Sequence, residues 1–470
     1  MRNSMKLGCM VAVLALAGSA MSGDRVASAK RARKAKVRAS SKSTAAPADT
    51  AAAGSAAPAA ASPNTAPATG STAPAAAAPG PAGAAAATAT TAAQPAAAAG
   101  GPAASAPPKP AAPAIPPGPR PAPGSVVVST LLPAPDSAGY KDGVGAAAQF
   151  DGVQGAALVG GELYISDAGN ALIRRVTLAS GEVATAAGKQ RDGRTVNGSL
   201  ADARFYKPGP MVAVGRTLYI AQLATERGGA CIRSLDLDAG TAATLTGDCQ
   251  RRGNVDGGKD AALFSSPMAL ATDGQNLYVG DYVRLRMVAL QSGAVTTLVG
   301  EADAQCDFGV QRICKGGFVD GVGNQARLIG IRALALSGRT LYIADGEAIR
   351  ALDLEEKKLT TVIGAARGIG SDDGVGVKAG VSSVTGLSAE AGGLYILQGP
   401  NFAGLRHLNL MTKALVSLTG QTIPGFARGS GNVDGPAAKA DFSKPKLLVA
   451  DGSRQLIIHE QGRIRAFEKF

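Results

Sequence analysis

The sequence predicts an all-β protein, a six-bladed β-propeller. Three observations support this prediction: a recurring Leu-Tyr anchor, a strand pattern around each anchor, and an N-terminal strand that completes the last repeat. The anchors are 53 to 64 residues apart, a period typical of folds built from repeated units. The six anchors are Leu163-Tyr164, Leu218-Tyr219, Leu277-Tyr278, Leu341-Tyr342, Leu394-Tyr395 and the weaker Leu456-Ile457.

Each repeat opens with an Asp-Gly or Asn-Gly dipeptide, which is typical of tight turns. These dipeptides begin at Asp142, Asn197, Asp256, Asp320, Asp373 and Asp434. Eight residues later, four repeats place an aromatic residue, and the fourth and fifth repeats place an aliphatic one. The residues at this position are Phe150, Phe205, Phe264, Leu328, Val381 and Phe442.

After each anchor comes an Ile-Arg or Leu-Arg pair, and then a last strand that ends in Gly, as in VATAAG and AVTTLVG. Alternating apolar residues bounded by Gly, Ser and Asp are typical of short strands. Four such strands per repeat describe one propeller blade. The six arginines are Arg174, Arg233, Arg286, Arg350, Arg406 and Arg465.

The two ends of the repeat region fit together. The sixth repeat stops after its third strand, at GRIRAFEKF, whereas residues 126–132 (VVVSTLL) match a fourth strand and precede the first Asp-Gly. Pairing these segments would close the ring and leave no bare strand edge. The sequence therefore favours six blades over five or seven.

The phrase DG-x-G-x-x-A-x-F, the following Pro, LY-[IV]-x-D and the later Ile-Arg with TLxG resemble the NHL repeats of bacterial exported proteins. The resemblance covers residues 126–470 and implies a six-bladed propeller. It does not specify a function, because one propeller scaffold hosts many activities.

Residues 1–29 are predicted to be a secretory signal peptide. Arg2 and Lys6 precede an apolar run over residues 7–17 and small residues at 18–20, and cleavage after Ala20 and after Ala29 both remain open. Cys9 precedes most of the apolar run, so a lipoprotein cleavage site is not supported. The basic segment 30–42 opposes export under the positive-inside tendency, but the cysteine pattern favours it.

Residues 43–125 are predicted to form a disordered Ala/Pro/Thr-rich linker, with 18 of the 27 prolines and no aromatic residue. Residues 1–125 carry a net charge of +10, whereas residues 126–470 carry +3. The basic tail could therefore contact anionic wall polymer or lipid, and the alternative is a solvated charge run. The near-neutral propeller and the signal peptide both argue against nucleic-acid binding.

Four cysteines follow the signal segment. Cys231 and Cys249 flank a predicted hairpin, and Cys306 and Cys314 share one loop. We expect both pairs to form disulfides, which fits an oxidising compartment. Buried free thiols or a metal site are the alternatives.

The loops at one face of the propeller vary in length. First-to-second and third-to-fourth turns are short throughout, whereas the second-to-third turns and inter-blade loops include all the long segments. Variable loops on a rigid scaffold often bind ligands, although insertion there is also simply tolerated. The candidate contacts are Glu226, Arg227, Asp307, Phe308, Arg312, Lys315, Asn401, Phe402 and Phe426.

Recurring charged residues have a structural explanation. Asp167, Asp281 and Asp345 follow the anchor, and we expect them to pair with the arginines within each blade, rather than the arginines forming an anion-binding ring. The Asp-Gly phrases lack the full calcium-loop pattern, which favours turns.

Few groups are available for catalysis. His407 and His459 are the only histidines, too few for a three-histidine zinc site. No nucleophile elbow or phosphate-binding loop is present. The absence of Trp leaves sugar recognition to hydrogen bonding.

The sequence thus predicts an exported, tethered, monomeric propeller without cofactor or metal. We expect it to bind an envelope protein or a surface polymer through its long loops. The alternatives are a metal-dependent, lactonase-like hydrolase or lyase, and a wall-associated spacer in which the tail does the binding.

Overall fold

The computed structural model of the chain describes residues 125–133, 138–223, 228–300, 317–366, 370, 372–399, 403–419, 432–452 and 454–469. The predicted signal peptide, the basic segment and nearly all of the predicted linker lie outside these residues. Within them, six antiparallel sheets form the six blades.

The first strand of the described chain and the strands of blades one to three follow the predicted order. Strand β1 is Val126–Leu132. Blade one contains β2 (Gly143–Val144), the 3₁₀ turn η1 (Gly145–Ala147), β3 (Val153–Val159), β4 (Glu162–Asp167), β5 (Leu172–Thr177) and β6 (Glu182–Gly188). Blade two contains β7 (Gly198–Ser199), β8 (Pro208–Val214), β9 (Thr217–Gln222), β10 (Ala230–Asp236) and β11 (Thr241–Asp248). Blade three contains β12 (Pro267–Thr272), β13 (Asn276–Asp281), β14 (Arg284–Ala289) and β15 (Val295–Val299).

Blades four to six repeat this arrangement. Blade four contains β16 (Gly321–Val322), η2 (Gly323–Gln325), β17 (Ile331–Ser337), β18 (Thr340–Asp345), β19 (Glu347–Asp353) and β20 (Lys358–Ala365). Blade five contains β21 (Gly374–Val375), η3 (Gly376–Lys378), β22 (Val384–Glu390), β23 (Gly393–Gln398), β24 (Gly404–Asn409) and β25 (Ala414–Ser417). Blade six contains β26 (Gly435–Pro436), η4 (Ala437–Lys439), β27 (Pro445–Asp451), β28 (Arg454–His459) and β29 (Ile464–Lys469).

The Asp-Gly phrases do more than turn the chain. In five blades a two-residue strand follows this position and pairs with the outermost long strand, so these sheets have five strands where the sequence predicts four. In blade three the equivalent Gly257 forms a single bridge to Val295. The added strand covers part of an otherwise open sheet edge.

The ring closes as the sequence predicts. Strand β1 pairs with β29 over six register positions and with the short strand β26, so it is the outer strand of blade six. The innermost strands β3, β8, β12, β17, β22 and β27 contact one another in sequence, and β27 contacts β3.

Apolar side chains pack mainly between blades. Six buried clusters each join two neighbouring blades, and one of them joins blade six to blade one. The six residues predicted at the aromatic position are at most 1% exposed. The anchor tyrosines Tyr164, Tyr278 and Tyr395 are buried, whereas Tyr219 and Tyr342 are only partly buried.

The Gly that ends an outer strand has a packing role. Gly247 has a φ of +87°, which favours glycine, and a Cβ there would lie 2.8 Å from the Phe264 ring of the next blade. The recurring terminal Gly thus lets the core aromatic of one blade approach the backbone of the preceding blade.

Alternating strand directions divide the connections between two faces. We use "long-loop face" for the face formed by the second-to-third turns and the inter-blade loops, and "short-turn face" for the opposite one. Strand β9 runs toward the long-loop face, and β10 runs away from it.

Candidate functional site

The predicted contact residues and one predicted disulfide fall outside the part of the chain that the structure describes. Glu226, Arg227, Asp307, Phe308, Arg312, Lys315, Asn401, Phe402 and Phe426, together with Cys306 and Cys314, lie in segments 224–227, 301–316, 400–402 and 420–431. Their roles stay predictions. The described residues of the long-loop face nevertheless contain a cleft.

This cleft has a volume of about 970 Å³ and lies on blade two. Its lining comes from the inter-blade loop before the blade, from Gly228 in the second-to-third loop, and from the residues that follow β11. Polar lining side chains include Arg194, Thr195, Asn197, Tyr206, Thr244 and Gln250.

A disulfide supports one wall of the cleft. Cys231, buried on β10, is bonded to Cys249, which lines the cleft, with their Cα atoms 4.9 Å apart. The sequence predicts this pair, and the structure confirms it. The bond ties the loop after β11 to the adjacent strand, so it holds this part of the cleft on a rigid sheet.

Each blade contains one buried arginine from the repeat pattern. All six repeat arginines are at most 1% exposed, so they do not form a surface ring. In blade one, Arg174 donates hydrogen bonds to Asp167 at 3.0 Å and to Asp142 at 2.6 Å, and its guanidinium carbon lies 5.0 Å from the centre of the Phe150 ring. The pairing between the anchor aspartate and the arginine therefore occurs as predicted.

Blades three and four repeat this charge pairing. Arg286 bonds Asp281 and Asp256, and Arg350 bonds Asp345 and Asp320. Blade four has Leu328 at the aromatic position, and there Phe318 lies against Arg350 instead, at 4.3 Å. Burial raises the pKa of Asp281 and Asp345, while the neighbouring arginines and backbone amides oppose that rise.

Blades five and six keep one carboxylate each. In blade five, Gln398 replaces the inner aspartate, and Arg406 bonds Asp373 at 2.6 Å. In blade six, the strand register places Gln455-Leu456 at the anchor, one residue before the predicted Leu456-Ile457, so His459 takes the inner position. Arg465 bonds Asp434 at 2.7 Å. The His459 side chain is buried and donates from Nδ1 to the Ser443 carbonyl, and burial lowers its pKa to about 4.

Blade two lacks both carboxylates. Its inner position is Gln222 and its outer position is Asn197. Arg233 donates to the Asn197 side-chain oxygen at 3.0 Å and to the carbonyls of Ala243, Arg204 and Val196, so its described partners are all neutral. Burial lowers the pKa of Arg233 to about 10.

The outer position is accessible in every blade. The five outer aspartates have side chains that are 44 to 49% exposed, and Asn197 is also exposed and lines the cleft. Asn197 Oδ1 accepts hydrogen bonds from Arg233 and from Thr244, and its amide nitrogen makes no hydrogen bond among the described residues. Five blades thus present a carboxylate at this position, and blade two presents an amide donor above a buried cation.

The axial channel is a second concave feature, with a volume of about 110 Å³. Its walls are mostly Ala, Met and Leu side chains of the six inner strands. Arg332, Gln154 and Thr385 are among the polar residues that line it. Each occupies a β-bulge at the start of its strand, which turns it toward the axis.

Acid-base groups are not grouped for metal binding in the described residues, where no cluster of three or more His, Cys, Asp or Glu side chains could hold an ion. His407 contacts Glu390 at 2.7 Å on blade five, and His459 is enclosed in blade six. Among the described helices, none is long and apolar enough to cross a membrane.

Sequence analysis missed Asn197, Gln222, Thr244 and Gln250, although the sequence contained a signal for the first two. Asn197 replaces the Asp of the Asp-Gly phrase, and Gln222 replaces the Asp of the LY-[IV]-x-D phrase. Blade two is the one repeat in which both positions lose a carboxylate to a neutral amide. Departure from the repeat was therefore the informative feature.

No protein-family profile matches the chain. The curated protein named NHL repeat-containing protein 2 is similar, with 28% identity in Bos taurus and 27% in Homo sapiens over 340 residues. The match covers 66% of this chain and 45% of each relative, so the chain spans about half the length of these relatives.

Two solved structures from Bacteroides thetaiotaomicron share the fold. One, a structural genomics protein of unknown function, is 16% identical with a TM-score of 0.52, and the other, an auxiliary nutrient binding protein, is 15% identical with a TM-score of 0.50. Each alignment covers 73% of this chain and 76% of the other. The repeat pattern, the closed six-bladed ring and the curated relatives thus all show that this chain is similar to NHL-repeat proteins.

Proposed function

We propose that the protein is an exported binding scaffold whose long-loop face captures an envelope protein or a surface polymer, with the blade-two cleft as the centre of the site. One observation carries this proposal: the cleft on blade two has a wall that the Cys231–Cys249 disulfide ties to the adjacent strand. In the other blades, the connection between the second and third strands is shorter or the repeat arginine contacts a carboxylate. Scaffolds often carry binding sites on such loops.

The export part of the proposal rests on two features. The signal-like segment at residues 1–29 directs the chain out of the cytoplasm, and the bond between Cys231 and Cys249 is of a kind that persists in oxidising compartments. In this proposal, residues 43–125 act as a tether, and the basic segment before them contacts anionic wall polymer or lipid.

The binding part rests on the chemistry of the cleft. Its amide, hydroxyl and charged groups provide hydrogen bonds to a partner, and Tyr206 adds a partly buried aromatic ring. Neither histidine lines the cleft: His407 contacts Glu390, and His459 contacts Ser443. A propeller described as an auxiliary nutrient binding protein shares this fold, and its name agrees with a binding role for such scaffolds.

A matched pair of substitutions tests the face. Gln250 lines the cleft, whereas Gln275 lies in the short turn between β12 and β13, on the short-turn face; both are exposed. The full chain with a C-terminal tag would be crosslinked in intact source cells as wild type, Gln250→Trp and Gln275→Trp. We expect Gln250→Trp to lose the captured material and Gln275→Trp to retain it. Retention by both variants, or loss from both, would exclude the cleft.

A loop replacement tests the wider face. The segment from residue 302 to 316 would be shortened to the length of the usual inter-blade loops, while the blades stay intact. We expect weaker capture and an unchanged melting temperature. Capture equal to that of the wild type would remove this loop from the proposal.

A further inference from the structure

The starting observation is a charge imbalance specific to blade two. Arg174, Arg286, Arg350, Arg406 and Arg465 each contact at least one carboxylate, while the described partners of Arg233 are neutral. A buried cation without a counter-ion costs free energy, so its occurrence in one repeat of six requires a reason. Proteins break their own local rules most often at functional sites.

The imbalance reaches the cleft surface through one residue. Arg233 Nη2 donates to Asn197 Oδ1 at 3.0 Å, and Thr244 donates to the same oxygen at 3.3 Å. Both contacts orient the amide so that its N–H groups are directed away from Arg233. Asn197 is exposed on the cleft wall, at a position where the other blades carry a half-exposed aspartate. The cleft therefore offers a donor polarised by a buried positive charge.

Other charges of the cleft are largely compensated. Arg194 pairs with Asp192. Asp248 accepts hydrogen bonds from the backbone of Gln250 and from the Arg251 side chain, which lower its pKa. Asp260 is exposed at the lining and forms no ion pair with the described residues. Among the lining side chains, Asn197 is the one that contacts Arg233 directly.

We propose that the blade-two cleft binds an acidic saccharide, with a sugar carboxylate hydrogen-bonded to the Asn197 amide and supplying the negative charge that the other blades hold in an aspartate. This inference rests on the proposed function and specifies the partner chemistry. A charge-assisted hydrogen bond to a carboxylate is stronger than a neutral one, particularly over a cation that solvent does not screen.

The rest of the lining favours a saccharide over an acidic protein segment. Protein interfaces depend on buried aromatic, apolar and arginine anchors. Here the lining lacks large aliphatic side chains, and it includes the hydroxyl and amide groups of Thr195, Thr244 and Gln250 beside Asn197. Such groups hydrogen-bond sugar hydroxyls, and Tyr206 provides one ring face. A cleft of about 970 Å³ has the size of a binding site for a short oligosaccharide.

Asn197→Asp provides a test in which loss of binding does not arise from loss of stability. The new carboxylate would restore the repeat and pair with Arg233, so we expect the melting temperature to stay equal or rise. We expect the affinity for a galacturonic-acid tetramer, measured by titration calorimetry on the full chain, to fall at least about tenfold because the carboxylates repel each other. Affinity equal to the wild type would overturn the proposal.

Asp256→Asn is the matched control, since it makes the reverse change at the equivalent position of blade three. We expect this variant to lose stability but to bind the tetramer like the wild type. A similar loss of affinity in both variants would overturn the assignment to blade two.

Two further probes identify the ligand class. The methyl-esterified tetramer, which keeps the hydroxyls and loses the charge, should bind at least about tenfold more weakly, and a glutamate tetrapeptide should not bind comparably. Tight binding of either would overturn the acidic-saccharide assignment. If Gln250→Trp abolishes capture in cells while the wild type does not bind the tetramer, the proposed function stands and this inference fails. If Gln250→Trp has no effect in cells, the proposed function fails independently.

Discussion

Thr130 and Asp434 are 304 positions apart in the sequence and form two hydrogen bonds, from the Thr130 backbone amide at 2.9 Å and from its hydroxyl at 3.0 Å. The same pair of contacts joins Thr185 to Asp142 and Thr297 to Asp256 within other blades. Strand β1 therefore reproduces, across the closure of the ring, a pair of contacts that blades one, three, four and five make within one blade.

This equivalence gives a first prediction. Thr130→Val and Thr297→Val each remove one hydroxyl hydrogen bond to an aspartate and keep the side-chain volume. We expect each to lower the free energy of unfolding by about 1 kcal/mol. Hydrogen exchange should distinguish them, because only Thr130→Val loosens strand β1 and speeds exchange over Val126–Leu132. Unchanged exchange in β1 would show that this contact does not hold the closure.

The buried Asp281 gives a second prediction. It accepts hydrogen bonds from the Ser265 and Ser266 amides, and its carboxylate contacts Arg286 in a site without solvent access. Asp281→Asn should lower the free energy of unfolding by about 3 kcal/mol, because it removes a partner from a buried pair. Asp256→Asn, at the half-exposed partner of the same arginine, should cost less. Urea unfolding of both variants measures the difference, and equal costs would contradict the importance of burial.

His459 gives a prediction about pH. Burial, with the nearby Arg465 and Arg463, lowers its pKa from 6.5 to about 4, while Ser443 and Asp434 oppose that change. Because the folded-state pKa lies below the unfolded one, protons bind preferentially to the unfolded chain. The stabilisation is therefore complete above about pH 6.5 and is lost as the pH falls toward 4, by about 3 kcal/mol.

Gln at position 459 removes this titration. Gln398 occupies the equivalent position in blade five and donates to the Ser382 carbonyl at 2.8 Å, so His459→Gln should preserve the hydrogen bond. We expect the variant to lose less stability than the wild type between pH 6.5 and 4, as measured by urea unfolding at several pH values. Parallel pH profiles would show that His459 does not titrate in this range.

The disulfide gives a fourth prediction. The bond joins residues separated by 18 positions, and closing a loop of that size in the unfolded chain stabilises the fold by about 3 kcal/mol. Cys231→Ala with Cys249→Ala should lower the melting temperature and speed hydrogen exchange over β10 and β11. Adding a reducing agent should likewise speed hydrogen exchange over β10 and β11 in the wild type, and it should not change exchange at these strands in the double variant. A double variant with unchanged exchange would contradict a structural role.

The repeat pattern was sufficient to predict the blades and their closure, because each strand carries its own alternation and each blade recurs. The short outer strands were not predicted, since two residues carry no period, and their pairing depends on a partner some 40 residues away, as between Gly143 and Val183. The role of Phe318 was not predicted either. Its ring lies against the arginine in place of an aromatic at Leu328, but Phe318 precedes the Asp-Gly phrase rather than following it.

The sequence indicated a face of the propeller for the candidate site, but it did not indicate the residues of the cleft. Loop length indicated the long-loop face, but the charge balance around Arg233 depends on Asn197 and Gln222, which come from two separate segments of the chain. Their significance appears only when the six arginine environments are compared. Replacing a carboxylate with an amide changes the side-chain volume little but removes the negative charge. In the sequence alone such a replacement looks conservative, so its importance is not evident.

The central claim is that a partner occupies the blade-two cleft in the cell, and site-specific photocrosslinking tests it most directly. A photoreactive residue would replace either Gln250, in the cleft, or Gln275, on the short-turn face, in the full chain expressed in its source organism. The account predicts a higher-mass adduct after irradiation from position 250 and none from position 275. An adduct of equal yield from both positions, or from position 275 alone, would contradict it.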